Sequence, residues 1–205
     1  VGVSSLLVNT SGSFNTAVGY LSGTALTTGI KNVAIGANAL LTEDTGNWNT
    51  AVGFEALKDL NYDGNGQNVA VGSYAAANLT TGINSVAIGH LALGTHTTGT
   101  RNIAIGSEAM DDTDAGSTSL GSEDDIFIGY RAGSGTWTDV ASNRNVSIGN
   151  YSMDSALDGA LDNTALGHYA LSSITTGDNN VGLGSNAGLA ITTGSDNTTL
   201  GYLAG

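Results

Sequence analysis

The chain has 205 residues, including 31 glycines, with no proline and no cysteine. Its 18 acidic and 5 basic residues give a net charge of −13, which argues against phosphate-led nucleic-acid binding and against adhesion to an anionic membrane. The lack of cysteine excludes disulfides, thiolate metal sites and cysteine nucleophiles. Aromatics at 6% are too few for a broad globular core, and charge at 11% is too sparse for disorder.

A short apolar segment ending in glycine opens the chain at Val1-Gly2. It returns at Gly19, Gly36, Gly53, Gly72, Gly89, Gly106, Gly129, Gly149, Gly167, Gly184 and Gly201. The successive intervals are 17, 17, 17, 19, 17, 17, 23, 20, 18, 17 and 17 residues. Repeats this short cannot bury a core alone and are stabilised by their neighbours, as in a solenoid. The expected fold is all-β: one parallel β-solenoid domain over 1–205, of about twelve coils. Both ends fall inside a repeat, so the chain is expected to be a segment of a longer fibre.

Within each repeat the elements follow in a constant order. A turn glycine comes first, at Gly12, Gly29, Gly46, Gly82, Gly99, Gly177 and Gly194, often after Thr-Thr, and is expected to supply a positive φ. Three residues later stands asparagine, at Asn15, Asn32, Asn49, Asn68, Asn102, Asn145, Asn163, Asn180 and Asn197; Ser85 and Asp125 interrupt the column. Stacked one strand spacing apart, such amides can form a hydrogen-bonded ladder. A strand of about five residues follows. In the first repeats it reads Thr16-Ala17-Val18, Val33-Ala34-Ile35 and Thr50-Ala51-Val52, with β-branched residues on one face and alanine on the other. Neither face is charged, which predicts burial of both and therefore a homo-oligomer, a trimer, intertwined or side by side. Which face looks into the coil stays open. After the glycine bend, Ala39-Leu40 and its equivalents predict a second short strand. Tyr20, Tyr74, Tyr130, Tyr151, Tyr169 and Tyr202 sit just past the bend, where their rings can pack along the coil edge or stack over sugars.

Further along, Asp63-Gly64-Asn65-Gly66-Gln67 reads as a tight turn more than as a calcium turn, since it occurs once. Between Gly106 and Gly149 the interval widens, making these coils irregular. This stretch holds Asp111, Asp112 and Asp114, a weak calcium site without the spacing of a helix–loop–helix calcium motif. It also holds Asp124, Asp125 and Trp137, expected in a displayed binding loop. His90, His96 and His168 share no metal-ligand spacing. With no nucleophile elbow and no phosphate loop, no catalytic residue is assigned and no cofactor beyond calcium is implied.

Asn32-Val33-Ala34-Ile35-Gly36, Ser85-Val86-Ala87-Ile88-Gly89 and Asn102-Ile103-Ala104-Ile105-Gly106 resemble the head repeats of trimeric autotransporter adhesins. The forms Asn15-Thr16-Ala17-Val18-Gly19-Tyr20 and Asn49-Thr50-Ala51-Val52-Gly53-Phe54 are similar to repeats of phage tail fibres and bacterial surface fibres. The resemblance implies a left-handed β-roll and three chains per fibre. It also implies a place outside the cell or on a virion, with further fibre segments at both ends. The longer period and the absence of adhesin neck and anchor segments favour a fibre shaft holding a receptor-binding tip. The alternative is an adhesin head whose lateral surface or 106–149 loops bind a host glycan or matrix. Neither nucleic acid nor membrane is an expected partner.

Overall fold

The computed structural model describes residues 1–113, 121–138 and 140–205. Its strands are β1 (Thr16–Val18), β2 (Val33–Ile35), β3 (Thr50–Val52), β4 (Val69–Val71), β5 (Val86–Ile88), β6 (Ile103–Ile105), β7 (Ile126–Ile128), β8 (Val146–Ile148), β9 (Thr164–Leu166), β10 (Val181–Leu183) and β11 (Thr198–Leu200). All lie in one 11-stranded sheet in sequence order. Each pairs in parallel with the next, so Ala17 faces Ala34 and Ala34 faces Ala51. Every strand-to-strand step is one coil of the chain, which makes the fold a β-solenoid. Ten steps at one strand spacing give a stack about 48 Å long. No helix among the described residues is long and apolar enough to cross a membrane.

The strands are 3 residues long, shorter than the expected five. They are stopped on one side by the glycine and on the other by the asparagine, whose side chain takes over the bonding. The glycines Gly19, Gly36 and Gly53 have φ of 141°, 135° and 140°, a region costly for any other residue. Each also lies against the same glycine of the next coil: a Cβ on Gly53 would stand 2.2 Å from the Gly72 carbonyl oxygen. The glycine column is therefore required twice over, by conformation and by backbone contact.

The turn glycines have a different reason from the expected one. Gly29, Gly82 and Gly177 do not adopt positive φ. They are glycine because successive turns nearly touch, and a Cβ on Gly29 would stand 2.4 Å from the Gly46 carbonyl oxygen. Positive φ falls instead on ordinary residues that recur each coil, such as Lys31 at 59°, Asn38 at 57° and Leu40 at 52°. These left-handed residues bend the segment after the strand into consecutive turns, so the expected second strand is absent there. The segment still bonds coil to coil: Leu40 N–H donates to Ala56 O at 3.0 Å and Leu57 N–H to Ala75 O at 3.1 Å.

The question of which strand face looks inward is decided by volume. Ala34, Ala51, Ala70, Ala104 and Ala165 are fully buried. Opposite them the turn segments send in Leu40, Leu57, Met110 and Leu171, also fully buried, and Leu60, Leu79 and Ile174 fill the narrow interior beside them. In β7 the sizes are exchanged. Phe127 takes the alanine position, and the turn position holds Gly133, where a Cβ would stand 2.4 Å from the Phe127 ring. Trp137 then packs on Phe127 with centroids 5.7 Å apart.

Two outcomes test this packing. Gly72→Ala should cost about 3 kcal/mol or more in chemical denaturation, combining backbone strain with overlap. Phe127→Ala should cost about 3–5 kcal/mol by opening a cavity, and adding Gly133→Leu to it should recover part of that loss, although Gly133→Leu alone destabilises. A double variant no more stable than Phe127→Ala would refute the exchange of volumes.

Candidate functional site

The asparagine column lies inside the coil edge and works in both directions along the stack. Asn15 Oδ1 accepts Asn32 N–H at 2.9 Å, and Asn32 Oδ1 accepts Asn49 N–H at 2.9 Å. Asn32 Nδ2 donates to the carbonyl of turn glycine Gly46 at 2.7 Å, as Asn68 Nδ2 does to Gly82 at 2.9 Å. Each amide thus satisfies a strand-entry N–H and a turn carbonyl of the following coil. Asn49 is the exception, because the wider loop 63–67 follows it, and its Nδ2 has no partner. That loop is held as a turn, with Thr45 Oγ1 donating to Asp63 Oδ1 and Gly66 N–H to Asn47 O. Asn102 continues the column by accepting Asp125 N–H at 3.0 Å.

Asp125 was expected in a displayed loop, but it is completely buried as a member of this column. Its Oδ1 accepts Asn145 N–H at 2.8 Å and Asn145 Nδ2 at 3.2 Å, while Oδ2 has no partner. Burial holds its pKa well above the ordinary value, which favours the neutral acid, and its Oδ1 takes the accepting role that asparagine Oδ1 has elsewhere in the column. Trp137, expected beside it, is likewise fully buried and is core. Only Asp124 of that group faces solvent. It accepts Arg101 Nε at 2.6 Å, and the guanidinium holds its carboxyl below the usual range. Arg144 forks onto Asp162 one coil on, at 2.7 and 2.8 Å.

Of the weak calcium group, Asp114 lies outside the described residues. Burial and the nearby Glu108 push Asp111 up to about 6, and Asp112 accepts a hydrogen bond from Thr136 Oγ1. No three carboxylate or imidazole side chains converge as a metal site among the described residues. His90 and His168 are exposed and pack edge-on to Tyr74 and Tyr151.

Two interior groups escaped the sequence reading. Glu43 and His96 stand three residues before a turn glycine, where Leu26, Leu79 and Ile174 occur in other coils, and both are fully buried. Glu43 accepts Gly46 N–H at 2.7 Å and Tyr62 N–H at 3.3 Å, and desolvation raises its pKa. His96 Nε2 accepts from Asn102 Nδ2 at 3.2 Å, leaving Nδ1–H to donate to Thr113 Oγ1 at 3.0 Å. Burial lowers the His96 pKa to about 4, so the ring is neutral. Aligning the column before the turn glycine would have exposed both polar intruders. They complete an interior network and present no group to a substrate.

The surface is where the chain offers contact. The outward residues of the strands form two columns without a charge, the first of Val, Ile and Thr and the second of Val, Ile and Leu. The second column carries Val18 at 42% exposure, Ile35, Ile88 and Ile148 at 38%, and Leu166 at 49%. No pocket opens among the described residues. Comparison with family models, curated proteins and solved structures finds no match for this chain.

An acid whose pKa is raised by folding adds stability below its unfolded value and loses it as pH climbs through the folded value. Asp125→Asn should therefore stabilise the protein by about 1–3 kcal/mol at pH 7 and by much less at pH 4. Thermal melts of both proteins at both pH values measure this. The comparison cancels His96, whose stabilisation runs the other way and is lost as pH falls from 6.5 toward 4.

Proposed function

We propose that this chain is a non-catalytic shaft segment of a fibre outside the cell or on a virion, holding a receptor-binding tip away from its base. The apolar band along the outward face of the sheet carries the reading. It runs the length of the stack, although 18 acids and 5 bases were available to interrupt it. A contiguous exposed apolar strip on an otherwise acidic protein marks an assembly surface. The partner that matches its length and spacing is a second and a third copy, set side by side around the fibre axis.

The resemblance of the Asn-Val-Ala-Ile-Gly unit to trimeric fibre repeats supports three copies over two. Stiffness follows from bonding around the whole perimeter of each coil, since strands, turn segments and asparagines all reach the next one. Three chains in one shaft present three copies of any tip site, which raises avidity without a new contact. Further fibre segments at both ends belong to the same proposal. The binding-loop alternative loses the support of Asp125 and Trp137, both buried.

Mass in solution tests the assembly. Light scattering should return about three times the chain mass of 20.4 kDa. Ile35→Glu with Ile88→Glu and Ile148→Glu should return a folded monomer, because the changed side chains point away from the coil interior. A monomeric native chain would overturn the proposal.

A further inference from the structure

Just past each strand-ending glycine, every second coil carries a ring: Tyr20, Phe54, His90, Tyr130, His168 and Tyr202. The coils between carry a small residue or an amide there, among them Ala37, Ser73, Ser107 and Asn150. Positions two coils apart are about 9.6 Å apart along the stack, enough for one further ring halfway between.

In two of these intervals the chain supplies that ring itself. Tyr74 stands between Phe54 and His90, with centroids 5.2 and 6.3 Å away and interplanar angles of 81° and 83°. Tyr151 stands between Tyr130 and His168 at 5.3 and 6.1 Å, with angles of 90° and 78°. Both tyrosines come from the second residue after the strand glycine, at φ of 59° and 57°. Both donate their N–H to the ring-bearing residue one coil earlier, Tyr74 to Phe54 O at 2.8 Å and Tyr151 to Tyr130 O at 2.9 Å.

The alternate intervals have the same backbone without the ring. Between Tyr20 and Phe54 the place of the tyrosine is taken by Asn38, at φ 57° and with its N–H on Tyr20 O at 2.9 Å. Between His90 and Tyr130 it is taken by Glu108, at φ 58° and with its N–H on His90 O at 2.8 Å, and between His168 and Tyr202 by Asn186, at φ 58° and with its N–H on His168 O at 2.9 Å. The flanking rings stand in solvent, with Tyr20 at 55%, Phe54 at 42% and Tyr130 at 39% exposure. Asn38 Oδ1 is buried without a hydrogen-bond partner, although its Nδ2 donates to Glu55 at 3.3 Å.

We propose that these three open intervals bind pyranose units of a neutral glycan, one sugar in each. The filled intervals show that one ring-sized group fits between the flanking side chains. A pyranose is that size and offers C–H faces to both rings, while its rim of hydroxyls meets the polar residue that replaces the tyrosine. Asn38 Oδ1 has no donor within the chain, and the Glu108 carboxylate, ion-paired with Arg131 at 3.8 Å, can accept from a sugar hydroxyl. An apolar side chain would leave both acceptors desolvated. The net charge of −13, with Glu108 in the second interval, turns away sialylated and sulfated glycans. The sites are gaps in the row of rings along the flank of the stack, adding lateral binding to the shaft role.

The probe is cellohexaose, a neutral oligosaccharide with all-equatorial pyranose faces, titrated at millimolar concentration into the full chain and followed by amide NMR. Shifts should concentrate at Ala37–Asn38, Ser107–Glu108 and Ser185–Asn186. Asn38→Tyr with Glu108→Tyr and Asn186→Tyr should plug all three intervals as Tyr74 and Tyr151 plug theirs, weakening binding by about tenfold or more with melting temperature unchanged. Tyr74→Asn should open a fourth interval and add shifts at Ser73. If the plugged protein fails to fold, Tyr20→Ala with Phe54→Ala removes the first clamp and should abolish shifts at Asn38 alone. Absence of shifts in the native chain, or undiminished binding by the plugged variant, overturns the proposal. A change of solution mass in the plugged variant without any sugar binding also overturns it, and assigns the intervals to side chains of another copy. Solution mass of the native chain reads the assembly separately, so the two proposals fail independently.

Discussion

Adjacent coils of this chain must meet at the separation of one β-sheet hydrogen bond around almost their whole perimeter. At that distance there is no room for a Cβ where backbones cross face to face, and the glycine columns at the bend and at the turn are the consequence. The bend glycine additionally holds a φ near 140°. The interior is thin for the same reason. A coil of about 17 residues encloses space for only one or two large side chains, most of them from the turn segment opposite an alanine. Where β7 brings in Phe127 instead, the turn gives up its side chain at Gly133.

The polar groups of the interior obey the same spacing. A strand of 3 residues supplies few ladder bonds, so the asparagine side chain extends the ladder past the strand's start and ties in the neighbouring turn. Burial favours the neutral form of a carboxylic acid at such a position, and Asp125 sits there with its Oδ1 accepting as an asparagine would. Glu43 and His96 fill positions held by leucine and isoleucine elsewhere, each satisfied by backbone or side-chain partners within one or two coils. On the outside the stack places like position over like position. Complementary neighbours then form ladders: Arg101 with Asp124, Arg144 with Asp162, and Lys31 over the Trp48 ring at 3.9 Å.

Much of the fold was legible because the repeat is a translation along one axis. The glycine interval, the alanine column and the asparagine column each gave a true feature of the coil. The second strand was misread because Ala39-Leu40 has the composition of a strand, and nothing in residue type signals that Asn38 and Leu40 take left-handed φ. The turn glycine was assigned a positive φ by the usual association, when neighbour contact was its cause. Trp137 and Asp125 were read as displayed because the interval widens around them. In the structure both side chains turn inward and are fully buried.

The amino-acid sequence by itself determined that this is a β-solenoid of parallel, in-register coils, because periodic spacing of glycine, alanine and asparagine admits no other stacking. It also showed that both strand faces are apolar. Only the tertiary structure decided which of those faces is core. The choice rests on volume, since the alanine face leaves room for the large side chains of the turn segment and the β-branched face would not. The β-branched face is therefore left in solvent as the band available for assembly. The ring-sized intervals beside it are likewise a property of stacked coils, since Tyr20 and Phe54 are 34 residues apart in the chain and become neighbours only when the coils are superposed.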